Sequence, residues 1–194
     1  MTSSGASFTI PVVPEPVNTD ADSYYWSTAV KDAANQLAVA LADHDDAIAL
    51  LQPAYAGLYV DDNEVEITGI DTSPSQLSVA SATVGPQYRM VSNLTTSTLD
   101  VQIPGVYQVG FNFSFSGTPS TEFDMHIYKN AVKTGIGIHR VIGTGGDVGA
   151  ASCSAHIECD SGDTLSVYIS ADGASKAITP VDGQFNATLI HHKE

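Results

Sequence analysis

Pro104-Gly105-Val106-Tyr107-Gln108-Val109-Gly110-Phe111-Asn112-Phe113-Ser114-Phe115-Ser116 decides how the rest of the chain is read. Its large apolar side chains, Tyr107, Val109, Phe111, Phe113 and Phe115, fall on every second residue, with Gln108, Gly110, Asn112, Ser114 and Ser116 between them. Successive side chains of a strand point to opposite faces, so this is a long strand with one face in a core and one polar face. A helix would scatter those five residues around its axis.

Shorter runs on both sides repeat the period: Val65/Ile67, Tyr88/Met90, Leu99/Val101/Ile103, Phe123/Met125/Ile127, Leu165/Val167/Ile169 and Phe185/Ala187/Leu189. Between them lie turn signals, among them Asp61-Asp62-Asn63, Pro104-Gly105, Ser116-Gly117-Thr118-Pro119, Lys129-Asn130, Gly143 to Gly149, Ser161-Gly162-Asp163 and Asp182-Gly183. About eight to ten strands at this spacing predict a mainly β head over residues 53–194, a sandwich or a closed barrel.

The wording and order of these strands resemble a known family. Gly105-Val106-Tyr107 with Phe111 and Phe113 is similar to the G-x-Y-x-x-x-F strand of the jelly rolls in the tumour necrosis factor superfamily and in complement-type globular heads. Ile127-Tyr128-Lys129-Asn130 resembles that family's strand followed by a Lys-Asn-Gly hairpin, with Ala131 where glycine is usual. Ala151 to Ile169 resembles its small-residue strand, Gly-Asp turn (Gly162-Asp163) and strand, and Phe185 to Ile190 its closing strand near the C-terminus. The resemblance covers residues 54–194 and implies a jelly-roll sandwich that assembles as a homotrimer.

Upstream the period changes. Residues 22–52 read as a helix: Asp22 or Ser23 can cap it, Trp26 to Leu51 contain neither Gly nor Pro, and Pro53 ends it. A heptad register places Val30, Leu37, His44 and Leu51 at one seam position and Ala34, Leu41 and Ile48 at the other, the pattern of a short trimeric coiled coil. The competing reading is an amphipathic helix packed on its own domain. His44 breaks the seam, as a register device, a tolerated polar residue, or one of three symmetry-related rings around an ion or water. Residues 1–21 hold Pro11, Pro14 and Pro16, which forbid a helix and favour extended backbone. Phe8, Ile10, Val12 and Val13 then read as an anchoring arm that orders on another protein's surface, against the alternative of a disordered tail.

The 194 residues carry 7 Lys+Arg against 22 Asp+Glu, a formal net charge of -15. Such a surface repels phosphate backbones, which argues against a nucleic-acid partner. The acidity is uneven: residues 1–88 hold twelve acids and one basic residue, Lys31, whereas residues 89–194 hold ten acids and six basic residues. No stretch approaches the roughly 18 uninterrupted apolar residues of a membrane helix, so membrane insertion is not expected, and the N-terminus shows no export signal.

No chemistry-bearing motif survives inspection. Cys153 and Cys159 lie on one alternating run and would stand about 20 Å apart along a strand, too far to bridge, and read as core thiols. His126 and His156 fall on the polar phase of their strands and read as surface residues, with no H-E-x-x-H motif. Asp61-Asp62-Asn63-Glu64 offers oxygen ligands without the alternation of a calcium loop and reads as a solvated turn, its capacity for an ion left open. Gly143-Thr144-Gly145-Gly146-Asp147-Val148-Gly149 departs from G-x-G-x-x-G at Val148. Asn93, Asn112 and Asn186 match the glycosylation acceptor pattern, which means little without export. No catalytic residue, metal or cofactor is expected.

Arm, stalk and head together resemble head fibres, capsid decoration proteins and short tail fibres of tailed bacteriophages. The expected function is a non-enzymatic, homotrimeric capsid decoration or head-fibre protein on the virion surface, its arm docked on the major capsid protein or another virion component. Tyr168, opposite Leu165/Val167/Ile169, is the candidate head interface. The alternatives are a tail-fibre adhesin, with Gly143 to Gly149 or Ser170 to Lys176 meeting a host glycan or surface protein, and a secreted cytokine-like or complement-like ligand module.

Overall fold

The computed structural model describes residues 21–50, 52–62 and 65–193. The chain separates into two compact units that meet between Gln52 and Pro53. The anchoring arm, with Phe8, Ile10, Val12 and Val13, lies outside the described residues.

Among its described residues the first unit contains one helix, α1 (Ala21–Leu50). It begins ahead of Asp22, so Asp22 and Ser23 stand in its first turn rather than at its cap. The absence of Gly and Pro lets the backbone run for 30 residues, and no helix among the described residues is long and apolar enough to cross a membrane.

The second unit consists of strands β1 (Tyr55–Val60), β2 (Ile67–Ile70), β3 (Ser75–Gln76), β4 (Thr83–Val84), β5 (Met90–Asn93), β6 (Thr98–Val101), β7 (Gly105–Gly117), β8 (Glu122–Lys129), β9 (Val132–Val141), β10 (Gly149–Cys159), β11 (Thr164–Ala171) and β12 (Lys176–His192). They form two antiparallel sheets, one ordered β10-β7-β12-β1-β4 with β2 on β12, the other β5-β6-β11-β8-β9 with β3 on β11. Setting aside the short strands β2 to β5, the remaining eight run first-eighth-third-sixth in one sheet and second-seventh-fourth-fifth in the other. That order is two interlocked Greek keys, a jelly roll.

The decisive stretch is β7, which is flanked by β12 and β10. Tyr107, Val109 and Phe115 are fully buried, and Phe111 and Phe113 nearly so. Phe115 packs edge-on against Phe123 of the facing sheet at 6.0 Å between ring centroids, and Phe111 against Phe185 at 6.4 Å. Phe123, Met125 and Ile127 of β8, and Leu165, Val167 and Ile169 of β11, close the core from the second sheet. Pro180, which has no N–H to donate, stands at a bulge of β12 where β1 has ended and β2 has not begun.

Loops gather at two ends. At the base, where Ala54 leads into β1, Asn130 and Thr164 exchange backbone and side-chain hydrogen bonds, and Asp163 accepts from Asn130 Nδ2 at 2.6 Å and from the Asp160 amide at 2.7 Å. Lys129 sits 3.3 Å from the same carboxylate. Burial alone would raise the Asp163 carboxyl; the hydrogen bonds from Asp160, Asn130 and Lys129 overcome it and hold the group below its ordinary value. At the opposite end, the crown, the β7–β8, β9–β10 and β11–β12 loops meet, with the Ser120 amide donating to Gly143 and the Asp172 amide to Glu122.

Candidate functional site

Two regions offer surfaces with functional character. On α1, the residues at heptad spacing sit at the surface of the chain: Leu37 is 63% exposed, Val30 56%, Leu41 49% and Ile48 46%. Ala34 is half-buried and His44 exposed, while Leu51 lies outside the described residues. Val39 is also exposed, off the seam. A row of large aliphatic side chains left to water every three and four residues is costly, at about 25 cal/mol per Å² of apolar area, and is the surface a second helix covers.

On the head, the crown loops are fastened rather than loose. Arg140 of β9 donates through Nη1 to the carbonyls of Phe115, at 2.6 Å, and Gly149, and through Nη2 to that of Asp147 at 2.9 Å. Its guanidinium lies 4.4 Å from the centre of the Phe115 ring. One planar cation thereby ties Asp147 and Gly149 of the candidate adhesive loop to the end of β7. The candidate loop from Ser170 to Lys176 is tied in turn by the Ser175 amide, which donates to Asp71 at 2.8 Å. Both loops lie at the crown.

Tyr168 is on the outer side of its sheet, away from Leu165, Val167 and Ile169, and its ring stacks on Tyr128 at 4.0 Å between centroids with a 20° tilt. The structure thus covers part of Tyr168 with a neighbour from its own chain. Cys159 is buried and Cys153 half-buried, both unbridged. Burial pushes the Cys159 thiol up to about 11 and raises Cys153 as well, which suppresses thiolate chemistry. Asp61 and Asp62 are exposed, and Asn63 and Glu64 lie outside the described residues.

His126 differs from the surface role its phase predicts. Its ring lies against Gly137 of β9, where a side chain would collide with it, and its Nδ1 is buried with no hydrogen-bond partner. Burial, reinforced by Lys133, lowers its pKa. His139, which sequence reasoning passed over, has closer company. It stands opposite Asp124 in the β8–β9 register, with Nδ1 at 3.0 Å from Asp124 Oδ1 and 3.6 Å from Glu122 Oε1.

No protein-family model matches the chain, and no curated protein sequence matches it. Among solved structures the chain is similar to Eiger TNF from S. frugiperda, at 15% identity over 74% of this chain and 96% of that one, with a TM-score of 0.47. It is similar also to murine APRIL, at 12% identity over 72% of this chain and all of that one, with a TM-score of 0.48. The jelly-roll assignment rests on the strand order, which needs no relative.

Proposed function

We propose that this chain is a non-enzymatic virion structural protein of a tailed bacteriophage: a homotrimeric capsid decoration or head-fibre protein, anchored by its N-terminal arm and displaying the jelly-roll head on the virion surface. The observation that carries the reading is the exposed seam of Val30, Leu37, Leu41 and Ile48, spaced for the core of a parallel helical assembly. A trimer joins three arms, so a weak contact by Phe8, Ile10, Val12 and Val13 becomes stable occupancy through effective concentration. The twelve acids and single Lys31 among residues 1–88 select a docking surface that is basic or apolar.

Sedimentation of the full chain tests the assembly. The expected mass is three times the 20.3 kDa of the chain, falling to that of the chain alone in a Leu37→Asp, Leu41→Asp variant. A wild-type chain that sediments as a monomer overturns the trimer. Phe8→Ala with Ile10→Ala then tests the anchor: intact trimers that no longer co-sediment with phage particles support decoration, and unchanged occupancy sinks it. The fastening of the crown by Arg140 favours a second reading, a tail-fibre adhesin whose ordered loops meet a host glycan or surface protein. Under that reading, changes in Gly143 to Gly149 abolish cell attachment while leaving particle occupancy intact.

A further inference from the structure

Glu122 and Asp124 are two residues apart on β8 and so share its outer face, while His139 is Asp124's direct neighbour across the β8–β9 ladder. One imidazole nitrogen and one oxygen from each carboxylate lie within 4.8 Å of one another. Donors bound tetrahedrally to a common cation at about 2.0–2.2 Å stand about 3.4 Å apart, so the His139 Nδ1 to Asp124 Oδ1 separation of 3.0 Å, now spanned by a hydrogen bond, opens only slightly to admit an ion. The 3.6 Å to Glu122 Oε1 is close to that spacing, and any wider separation within the 4.8 Å group closes by torsions of exposed side chains. We propose that Glu122, Asp124 and His139 form a binding site for a late first-row divalent cation, zinc being the representative, on the outward face of the β5-β6-β11-β8-β9 sheet beside the crown.

The donor set chooses the metal. Imidazole with carboxylate suits zinc, nickel, copper and cobalt, whereas calcium takes six to eight oxygens and magnesium an oxygen octahedron. Two carboxylates and a neutral imidazole present two negative charges to a dication, and the remaining positions open to water or to a carboxylate or hydroxyl of whatever the crown meets. β8 and β9 hold the three Cα atoms in a paired ladder, so binding needs side-chain rotation only. In the metal-free chain a proton on His139 occupies the same place, held by the hydrogen bond to Asp124 and by the charge of Glu122. Metal binding expels that proton. Ser170 of β11, opposite Asp124, is uncharged, Arg140 is engaged with Phe115, Asp147 and Gly149, and Lys133 lies farther along β9, whereas His126, two residues on from Asp124 and on the same face, feels the Asp124 charge.

The test is calorimetric titration of the EDTA-stripped full chain with zinc chloride, and separately with calcium chloride, at pH 7.5. The expected result is a zinc site of one ion per chain that His139→Asn and Asp124→Asn each weaken at least tenfold, with Glu122→Gln as a third variant. A His191→Asn, His192→Asn chain is expected to keep it. All three target residues sit at the surface, so the metal-free variants are expected to melt with the wild type, and zinc raises the melting temperature of the wild type and of the His191→Asn, His192→Asn chain well above that of the three site variants. Equal zinc affinity in wild type and His139→Asn, no zinc binding up to millimolar concentration, or preference for calcium overturns the proposal.

Discussion

Leu41 of α1 and Leu99 of β6 are the same side chain in opposite circumstances: the first is 49% exposed, the second fully buried between two sheets. The head satisfies its large apolar residues within one chain, because two sheets of period-two strands face each other and seal Phe115, Phe123, Met125, Ile127 and Leu165 from water. The helix carries an apolar seam and is the one element described in its unit. The difference teaches that folding of the head and completion of the helix are separate problems, the first unimolecular and the second, on our proposal, dependent on concentration.

The largest test of that contrast is Phe115→Ala. It removes a ring that touches Phe113, Phe123 and the Arg140 guanidinium and is expected to cost about 4 kcal/mol. Chemical denaturation of the head should show this loss at every protein concentration. Leu41→Ala is the counterpart. It is expected to cost about 3 kcal/mol per chain in the assembled stalk, and nothing in the head transition, so the stalk midpoints of wild type and variant should both fall as the protein is diluted while the head midpoint stays put. A concentration-independent loss of the same size in the head transition would break the comparison.

The base tests a polar version of the same idea. Asp163→Ala leaves the Asp160 amide and Asn130 without their acceptor and is expected to destabilise the head by about 2 kcal/mol. The sign with pH follows from the depressed carboxyl: its contribution is present above the ordinary Asp pKa and is lost as pH falls through the lower, folded value. The gap between wild type and variant, read from urea midpoints, should therefore be constant from pH 5 to 7 and shrink below about pH 4. His139 runs the other way. Its raised pKa gives a small stabilisation present below the ordinary histidine value and lost as pH rises through the folded one.

How far such features are legible in sequence depends on how local their cause is. The alternation of Tyr107 to Phe115 writes β7 plainly because each side chain's face follows from its own position. The grouping of Glu122, Asp124 and His139 is not legible, because it depends on a bulge. Lys129 pairs with Val132 and Tyr128 with Lys133; counting on from that turn would put Gly137 opposite Asp124. The register slips between His126 and Tyr128, and His139 arrives there instead. The signals in the sequence of β9 are its two interior glycines, Gly135, at φ +82°, and Gly137. Arg140 gives no signal, since its partners are backbone carbonyls on β7 and in the β9–β10 loop.

The smallest effect, and the one of opposite sign, lies in the β8–β9 turn. Asn130 and Ala131 both have positive φ, 51° and 60°, as a two-residue hairpin of the mirror-image kind requires. Asparagine tolerates that conformation and alanine does not, because its Cβ crowds the following carbonyl. Glycine removes the crowding but loses more backbone freedom on folding, so the two terms partly cancel. Ala131→Gly is therefore expected to raise stability by about 0.5–1 kcal/mol, seen as a higher urea midpoint with an unchanged slope. The gain should appear in full in the head and leave the sedimentation of the stalk unaltered. A loss instead would mean that the rigidity of Ala131 in the unfolded chain outweighs its crowding in the folded turn, and that the turn, rather than the sheets, limits the order of this hairpin.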